Sequence, residues 1–310
     1  MYSVFIDGKE GTTGLQIYDR LAKRDDIKLI TLPEEFRKDT EARRECLNKA
    51  DISFLCLPDA AAKEAVGLVT SPRARIIDAS TAHRTHPDWV YGLPEISSER
   101  RELIKKANRV ANPGCYATGF ITLVAPLVKG GLVAADYPFD CHALSGYSGA
   151  GKKGIAQYED EQRDISLSSP RHYALGLRHK HLPEMINECG LEFAPAFAPI
   201  ICDFYCGMCV SVPVHTRLMT KKCTLNDVRK YFTEYYASQN FIKIVEQNEI
   251  PAYLASNKLA GSNMLEIYVC GNDEEILLCS VFDNLGKGAS GAAVQNMNIM
   301  LGLDERTSLI

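Results

Sequence analysis

The sequence has no apolar run that approaches the roughly 18 residues needed by a membrane-spanning helix. It also has no excess of positive charge, because 35 Lys and Arg stand against 39 Asp and Glu, for a formal net charge of −4. The first absence argues against a membrane protein, and the second argues against a dedicated nucleic-acid binder. An apolar strand is predicted directly after Met1 and leaves no room for a secretory signal, so we expect a cytoplasmic protein.

Internal repeats, low-complexity tracts and blocks of like charge are also missing from the sequence. Hydrophobic residues make up 46% and charged residues 24%, which argues against disordered and fibrous proteins. A chain of 310 residues is long enough for about two domains, each with its own core. The eleven cysteines are odd in number and widely spread, so we interpret them as reduced thiols.

The first third of the chain alternates short apolar runs with helical patterns, which predicts an α/β unit around a parallel sheet. Its expected strands are 3–7, 28–32, 51–57, 74–78 and 109–111, and its expected helices are 13–24, 40–49, 60–69 and 97–106. The second part is strand-rich and predicts an α+β unit with strands at 139–145, 191–201, 205–214, 264–269 and 276–282. A last apolar helix is expected at 289–301, and the polar stretch 160–172 is expected to be a mobile loop.

A glycine-rich segment stands where the first predicted strand turns into the first predicted helix. Backbone N–H groups and the helix dipole at such a turn can face a phosphate. We therefore expect Gly8, Gly11, Thr12, Thr13 and Gly14 to bind a dinucleotide cofactor. The spacing G-x-x-G-x-x-G departs from the usual G-x-G-x-x-G, so a plain tight connection remains the alternative.

The end of the second predicted strand bears on the choice between NAD and NADP. Glu34 and Glu35 could accept the ribose hydroxyls of NAD. Arg37 and Lys38 could instead neutralise the 2′-phosphate of NADP. We expect NADP, with a solvated loop of mixed charge as the alternative.

Cys115 is the candidate nucleophile. It follows Asn112-Pro113-Gly114 at the predicted start of a helix, where unpaired N–H groups and the helix dipole stabilise a thiolate. A buried structural cysteine is the alternative interpretation.

A cysteine that forms and breaks an acyl bond needs a proton carrier, and histidine suits that role near neutral pH. The segment from His179 to Glu184 places two histidines beside a carboxylate and is the best candidate for the base. The same histidines could bind a metal, but no fourth ligand is evident, so we expect none.

Two further segments have functional and structural interpretations. Cys202, Cys206 and Cys209 have the spacing of an iron–sulfur ligand set, but they lie in a strand-like segment that would turn Cys209 to the opposite face. The turn Ser145–Lys153 combines hydroxyls, glycines and two cations, so it could form the wall of an anion site or a flexible loop.

Six motifs taken in order resemble the N-acetyl-γ-glutamyl-phosphate reductases of the arginine pathway, and most closely the shorter form of that family. Each motif is weak alone, but the ordered set is specific and runs nearly end to end. The motifs are Phe5-Ile6-Asp7-Gly8 with Gly11 and Gly14, Asp78 to Arg84, Asn112 to Tyr116, Ser145 to Gly149, His179 to Glu184, and Asp283 to Gly291.

The resemblance implies two domains and an assembly. A Rossmann-like NADP-binding domain would span residues 1–113 and be joined by the C-terminal helix 287–310. An α+β catalytic domain of the semialdehyde and glyceraldehyde-3-phosphate dehydrogenase type would span 114–286. The resemblance also implies a homo-oligomer, either a dimer or a tetramer.

The resemblance further implies a cysteine mechanism. Cys115 would attack the acyl phosphate of N-acetylglutamyl phosphate and expel phosphate, leaving a thioester. NADPH would reduce the thioester and release N-acetylglutamate 5-semialdehyde. His179 would carry the protons, with His181 and Glu184 in supporting or substrate contacts, although the two histidines could exchange roles.

The remaining implied contacts fall on two sets of residues. The substrate set is Arg84, Ser145 and Tyr147, and the cofactor set is Ser148, Gly149 and Asn284. Two competing functions stay open at this point. One is the same chemistry on aspartyl phosphate or on a carrier-bound glutamyl or aminoadipyl phosphate, and the other is a non-catalytic NADP-binding sensor.

Overall fold

The computed structural model describes residues 1–309. The chain divides into two compact units, the first made of Met1–Gly114 with the chain from Ala289 onward, and the second of Cys115–Gly288. The chain therefore passes between the units twice, once after Gly114 and once after Gly288. Among the helices of the described residues, none has both the length and the apolar character required to cross a membrane.

The first unit is built on a six-stranded parallel sheet in the order β2-β1-β3-β4-β6-β5. Its strands are β1 (Tyr2–Asp7), β2 (Ile27–Ile30), β3 (Ile52–Leu55), β4 (Arg75–Asp78), β5 (Val90–Tyr91) and β6 (Arg109–Ala111). Its first four helices are α1 (Thr12–Leu21), α2 (Thr40–Lys49), α3 (Asp59–Gly67) and α4 (Ser98–Lys106). All four residues of β3 are buried, as expected for a central strand covered on both faces.

The strand order of this sheet places a crevice at β1. From β1 the chain moves to β2 on one side and then to β3 on the other. At such a switch point, the connections from neighbouring strands diverge and leave space at the carboxyl ends of the strands. The glycine-rich turn after β1 therefore lies at the position where doubly wound sheets bind ligands.

The second unit is built on a seven-stranded mixed sheet in the order β11-β12-β13-β10-β7-β9-β8. Its strands are β7 (Asp140–Gly146), β8 (Arg171–His172), β9 (Ala196–Cys202), β10 (Met208–His215), β11 (Ile242–Ile244), β12 (Leu265–Gly271) and β13 (Glu275–Phe282). Its helices are α5 (Cys115–Lys129), α6 (Gly151–Glu159), α7 (Leu182–Cys189) and α8 (Leu225–Tyr236). The parallel sheet and this mixed sheet confirm the predicted fold class.

Helix α5 is the core helix of the second unit. Every residue from Tyr116 to Leu127 is buried, and the helix packs on β10 and β13. Gly119 makes this contact close, because a Cβ there would lie 2.4 Å from Cγ2 of Val210. The sheet therefore holds the helix, and with it the residue that begins the helix.

The last helix belongs to the first unit. A π-helical turn at Gly286–Ser290 precedes α9 (Gly291–Leu301), which packs against α1 and α4. The Gln295 side chain donates to Glu95 at 2.8 Å, and Arg24 donates to the Asn298 side chain at 2.7 Å. These buried polar contacts fasten the end of the chain to the first unit.

Two sequence expectations in the second unit are wrong in detail. The strand expected at 191–201 begins only at Ala196, and the strand expected at 205–214 begins only at Met208. Residues 203–207 instead form a turn whose last residue, Gly207, has a φ of +123°. The stretch 160–172, expected to be a mobile loop, contains a 3-10 turn and β8, and Arg163 forms an ion pair with Asp203 at 2.7 Å.

Candidate active site

The turn after β1 requires glycine at two positions. Gly8 has a φ of +85°, and a Cβ there would lie 2.4 Å from the carbonyl oxygen of Cys56. A Cβ at Gly14 would lie 2.5 Å from the carbonyl oxygen of Gly8. Gly11 caps α1, and Thr12, Thr13 and Gly14 form its first turn. The turn, the strands and the helix thus approach more closely than side chains would allow, as in loops that hold a phosphate.

A cavity of about 340 Å³ opens at this turn and is lined by the ends of β1 and β2 and by the segment that follows β3. Gly8 and Gly11 line it, as do Arg37 and Lys38, which the sequence had indicated for the 2′-phosphate. Arg37 forms an ion pair with Glu34, another lining residue, at 2.8 Å. The cavity therefore offers both an anion that suits ribose hydroxyls and cations that suit a phosphate.

Lys9 also lines this cavity, and the sequence analysis did not single it out. Its Nζ atom lies 3.7 Å from the centre of the Tyr18 ring, in the range of a cation–π contact. Its position inside the glycine-rich turn was a signal in the sequence that it would line the cavity at this turn.

A buried ion pair supports the floor of the same cavity. Asp7, the last residue of β1, accepts two hydrogen bonds from Arg43 of α2, at 3.1 Å from Nε and 2.9 Å from Nη2. Burial raises the pKa of Asp7 above its ordinary value, and the Arg43 guanidinium partly offsets that rise. Glu64 also bonds Arg43, at 3.2 Å, from the surface.

In the second unit, Cys115 is the first residue of α5. The N-terminal end of a helix carries partial positive charge and favours a thiolate over a thiol. The backbone of Gly288 packs against Cys115, since a Cβ at Gly288 would lie 2.8 Å from the Cβ of Cys115.

Aromatic rings surround the His179 imidazole. Tyr116 meets it edge-on at 5.6 Å, and Tyr173 lies at 5.8 Å, Phe197 at 5.2 Å and His181 at 4.6 Å between ring centres. The backbone N–H of His181 donates to Nδ1 of His179 at 3.1 Å. Because Nδ1 accepts that bond, neutral His179 carries its proton on Nε2.

The two tyrosines were not predicted as site residues. Their hydroxyls share a hydrogen bond, and Tyr116 is also bonded to Ser145. Burial raises the pKa of both phenols, and the nearby Cys115 raises them further. Both hydroxyls therefore stay protonated near Cys115 and can act as hydrogen-bond donors. Tyr116 follows the candidate nucleophile directly, which was a signal in the sequence, whereas nothing in the sequence pointed to Tyr173.

The other residues of the histidine segment lie at the start of α7. His181 directly precedes the helix, and Glu184 is in its first turn. Both side chains are buried, and the His181 ring lies 5.9 Å from that of Tyr116. The segment therefore belongs to the same cluster as Cys115, Tyr116 and His179.

Asn284 connects the small-residue turn to the rest of the second unit. Its Nδ2 donates to Oγ of Ser148 at 3.0 Å, and its Oδ1 accepts from the Gly207 N–H at 2.8 Å. A Cβ at Gly149 would lie 3.3 Å from the same Nδ2. The predicted cofactor residues Ser148, Gly149 and Asn284 are thus brought together.

The predicted substrate residues have different surroundings. The buried Ser145 hydroxyl donates to the carbonyl of Gly146 at 3.1 Å. The Tyr147 ring stacks on Tyr158 at 4.6 Å, so one of its faces is occupied by the protein. In the first unit, Arg84 donates to the carbonyl oxygens of Asn112 at 3.0 Å and Ala79 at 3.2 Å.

The three cysteines with iron–sulfur spacing lie on different elements. Cys202 ends β9, Cys206 is in the turn that follows, and Cys209 is on β10. Within the part of the chain that the structure describes, no group of three or more His, Cys, Asp or Glu is placed to hold a metal ion.

Two family models match the chain. Residues 3–106 match the semialdehyde dehydrogenase NAD binding domain, and residues 115–284 match the semialdehyde dehydrogenase dimerisation domain. The two matched ranges fall within the two units of the structure. The chain therefore carries a nicotinamide dinucleotide-binding domain and a dimerisation domain of an oxidoreductase superfamily.

Two curated relatives are similar over nearly the whole chain. N-acetyl-gamma-glutamyl-phosphate reductase 2 of Pseudomonas putida is 46% identical over 303 residues, covering 96% of each chain. N-acetyl-gamma-glutamyl-phosphate reductase of Brucella anthropi is 47% identical over 305 residues, covering 96% of this chain and 98% of the relative.

Solved structures confirm the fold. Aspartate semialdehyde dehydrogenase II from Vibrio cholerae has a TM-score of 0.71 at 17% identity, over 97% of this chain and 99% of that one. Aspartate semialdehyde dehydrogenase from Francisella tularensis has a TM-score of 0.71 at 15% identity, over 97% of this chain and all of that one (100%).

Proposed function

Since the chain belongs to the N-acetyl-γ-glutamyl-phosphate reductase family, we propose that it reduces N-acetylglutamyl 5-phosphate to N-acetylglutamate 5-semialdehyde and phosphate, with NADPH, in arginine biosynthesis. One structural observation carries the proposal most directly. Cys115 begins a buried helix and is followed by Tyr116, whose ring packs edge-on against His179. A nucleophile at a helix start beside an oriented imidazole is an arrangement suited to acyl transfer.

The first half of the reaction is assigned to Cys115. Its thiolate attacks the acyl carbon, the bond from that carbon to the phosphate oxygen breaks, and phosphate leaves with the electron pair. The products of this half are a thioester on Cys115 and inorganic phosphate. The helix dipole of α5 stabilises the thiolate before the attack.

The second half needs a hydride, and NADPH supplies it when bound. Addition of that hydride to the thioester carbon and of a proton to its oxygen gives a thiohemiacetal on Cys115. Return of the proton to His179 and cleavage of the carbon–sulfur bond then release the aldehyde and restore the thiolate. His179 carries its proton on Nε2 when neutral, so it can donate a hydrogen bond to the substrate oxygen, and its imidazolium form can donate a proton there. Tyr173, whose hydroxyl stays protonated, is a second donor at the same cluster.

The cofactor choice is part of the proposal. Close packing at Gly8 and Gly14 leaves room for a pyrophosphate against the backbone, and the adjoining cavity contains Arg37 and Lys38. A 2′-phosphate would compete with Glu34 for the Arg37 guanidinium. We therefore assign the 2′-phosphate to Arg37 and Lys38, which makes NADPH the preferred cofactor.

The same proposal covers the remaining contacts and the domain roles. Residues 1–113 with 287–310 would bind NADPH, and residues 114–286 would carry catalysis and oligomerisation as a homodimer or homotetramer. We assign substrate contacts to Arg84, Ser145, Tyr147, His181 and Glu184, and cofactor contacts to Gly8, Gly11, Thr12, Thr13, Gly14, Ser148, Gly149 and Asn284. The eleven free cysteines suit the reducing cytoplasm, where we place the reaction.

Running the reaction backwards tests the proposal. The purified protein is mixed with N-acetylglutamate 5-semialdehyde, phosphate and NADP, and NADPH formation is followed by absorbance. We expect NADPH only with the acetylated aldehyde and only with phosphate. The Cys115→Ser variant should be inactive, whereas Cys223→Ser, at a partly exposed cysteine in the same unit, should match the wild type.

Two outcomes would redirect the assignment. Activity on aspartate semialdehyde alone would keep the mechanism and replace the substrate. An enzyme that binds NADPH but turns over neither aldehyde would favour a carrier-bound substrate or a sensor. The His179→Ala variant tests the acid–base role, because it should slow phosphate release far more than it weakens NADPH binding.

A further inference from the structure

The two places where the chain passes between its units are linked to each other. In the second unit, the last residue before the return crossing, Gly288, packs against Cys115, the first residue after the outward crossing. In the first unit, the Asn112 side chain donates from Nδ2 to the carbonyl oxygen of Ala289 at 3.0 Å. Cys115 therefore stands where two chain segments are fastened together.

Resting on the function proposed above, we infer that Asn112 and Gly288 are positioning residues that fix Cys115 in the orientation required to attack an acyl carbon. Neither residue is assigned to substrate or cofactor. Asn112 acts through its hydrogen bond to Ala289 on the return crossing, and Gly288, the last residue before that crossing, acts on Cys115 by the absence of a side chain.

Gly288 leaves no free space beside the nucleophile. A Cβ at this position would lie 2.8 Å from Cβ and 3.3 Å from Cα of Cys115. The turn that carries Gly288 is itself rigid, because the Asp283 carboxylate accepts from the N–H groups of Leu285 at 2.7 Å and Gly286 at 3.1 Å. The Gly288 N–H also donates to the Asp283 carbonyl at 2.9 Å. An added methyl group must therefore displace Cys115.

The Gly286–Ser290 turn is π-helical, which is rare and often marks functional sites. It also contains Lys287, whose side chain is fully buried, with Nζ 5.6 Å from the centre of the Phe241 ring. Burial of a lysine is costly and is seldom found without a structural reason. The anchored turn is therefore able to resist displacement by Cys115.

Hydrogen bonds hold both the backbone and the side chain of Asn112. Its N–H donates to the Asp78 carbonyl at 2.7 Å, and its own carbonyl accepts from Arg84 at 3.0 Å. Its Oδ1 accepts from the Asn296 side chain at 3.3 Å. The next residue is Pro113, which restricts the backbone on both sides of itself. Only Pro113 and Gly114 separate Asn112 from Cys115 in the chain.

The expected loss of reaction rate follows from the geometry that acyl transfer requires. A displacement of about 1 Å in the reacting atoms can cost about 100-fold in rate. Acylation by an ester passes through a tetrahedral oxyanion that must meet hydrogen-bond donors beside Cys115, whereas alkylation by iodoacetamide forms no oxyanion and has no such requirement. A positioning role therefore predicts that acyl transfer and alkylation respond differently to the same substitution.

The test uses Gly288→Ala and Asn112→Asp in the full-length protein. The second variant keeps the size of the side chain and replaces the Nδ2 donor by an acceptor. Matched controls are Gly67→Ala, where an added Cβ has no neighbour within 4 Å, and Asn226→Asp, which is exposed. Cys115→Ser gives the background rates. Each protein is assayed for NADPH-dependent turnover, acylation of Cys115 by p-nitrophenyl acetate, alkylation by iodoacetamide and thermal unfolding.

We expect kcat and the acylation rate to fall about 100-fold in both variants, with the KM for NADPH unchanged. Alkylation should stay within about threefold. The melting temperature should fall because of the overpacking at Gly288 and the lost hydrogen bond at Asn112, with all rates measured well below the melting transition, while the controls behave as wild type. Unchanged acylation in both variants would overturn the inference. It would also be overturned if all rates fell together with the melting temperature, which is the result of general damage.

The p-nitrophenyl acetate assay separates this inference from the proposed function. It requires the thiol and its orientation but neither the acetylated substrate nor NADPH. Loss of acylation in the variants of an enzyme that cannot reduce N-acetylglutamyl phosphate would uphold the positioning role and refute the proposed substrate.

Discussion

The Asp7–Arg43 pair allows a prediction whose size follows from its burial. The two side chains are 7% and 8% exposed and share two hydrogen bonds. In the variant Arg43→Met the Asp7 carboxylate keeps its site at the end of β1 but loses its buried partner. Removing one member of a buried ion pair costs about 3–5 kcal/mol, so we expect the first unit to lose that much stability at neutral pH. The contact of Arg43 with Glu64, which is 57% exposed, adds little.

The stability that the Arg43→Met variant loses should depend on pH in a defined direction. Burial raises the pKa of Asp7 above its value in the unfolded chain, and the two contributions of Arg43 lower it. The folded state therefore binds this proton more tightly, and stability falls as pH rises from the unfolded pKa through the folded pKa. Arg43→Met removes both lowering contributions, raises the folded pKa further and extends this range upward. The deficit relative to the wild type should be largest near neutrality and shrink as pH falls to 5.

The single tryptophan of the chain makes the measurement specific to the first unit. Trp89 lies in that unit and is 9% exposed, so its fluorescence in urea reports the unfolding of that unit. The double variant Asp7→Asn with Arg43→Met removes both charges and should recover most of the loss. A loss below about 1 kcal/mol would refute the reasoning, since that is the range of an exposed pair. A deficit equal at pH 5 and pH 8 would refute the role of Asp7 ionisation.

Two other predictions concern the cofactor and a helix cap. Arg37→Met should raise the Kd for NADPH roughly 10- to 100-fold, the worth of a charge-assisted hydrogen bond, and leave NADH nearly unaffected. Fluorescence titration of both cofactors, with Arg73→Met as the exposed control, measures this, and an equal loss for NADPH and NADH would contradict it. Thr224→Ala removes the capping box of α8 and should cost about 1 kcal/mol in urea unfolding followed by circular dichroism. Thr233→Ala, inside the same helix, is the control, and equal effects would show that the cap contributes nothing special.

Most of the first unit could be predicted from the sequence because its signals are local. The helix predicted at 40–49 is Thr40–Lys49, and the strand predicted at 109–111 is Arg109–Ala111. Buried parallel strands appear as continuous apolar runs, and their helices repeat at the helical period. The two-residue strand β5 was missed, since Val90–Tyr91 is too short to leave a periodic signal.

The second unit was predicted less well because its strand boundaries depend on distant contacts. The turn before Met208 is fixed by β7, whose end packs so closely that a Cβ at Gly146 would lie 2.5 Å from the Tyr205 carbonyl. The apolar residues of that turn resemble a strand when read alone. The edge strand β8 exists through its pairing with β9 and has no pattern of its own.

In the candidate site, too, residues with local sequence signals could be predicted, and residues that depend on distant contacts could not. Gly8 and Cys115 could be singled out because a turn glycine and a cysteine at a helix start have local signatures. Tyr173 follows an edge strand and reaches the His179 ring only through the folded sheet. Gly288 could be identified only from its neighbour, since the missing side chain matters solely because Cys115 is there.

The return of α9 to the first unit has a consequence for the order in which the chain is made. The ribosome releases the strands and helices of Met1–Gly114 first. The hydrogen bonds from Arg24 and Arg75 to α9 can form only after α9 has been synthesised. At 5–20 residues per second, synthesis of Cys115–Gly288 occupies about 10 to 35 s before that helix emerges. At the end of this interval the second unit has all of its own sequence, whereas the first still lacks α9. The unit that is translated first is therefore the one whose folding is completed last.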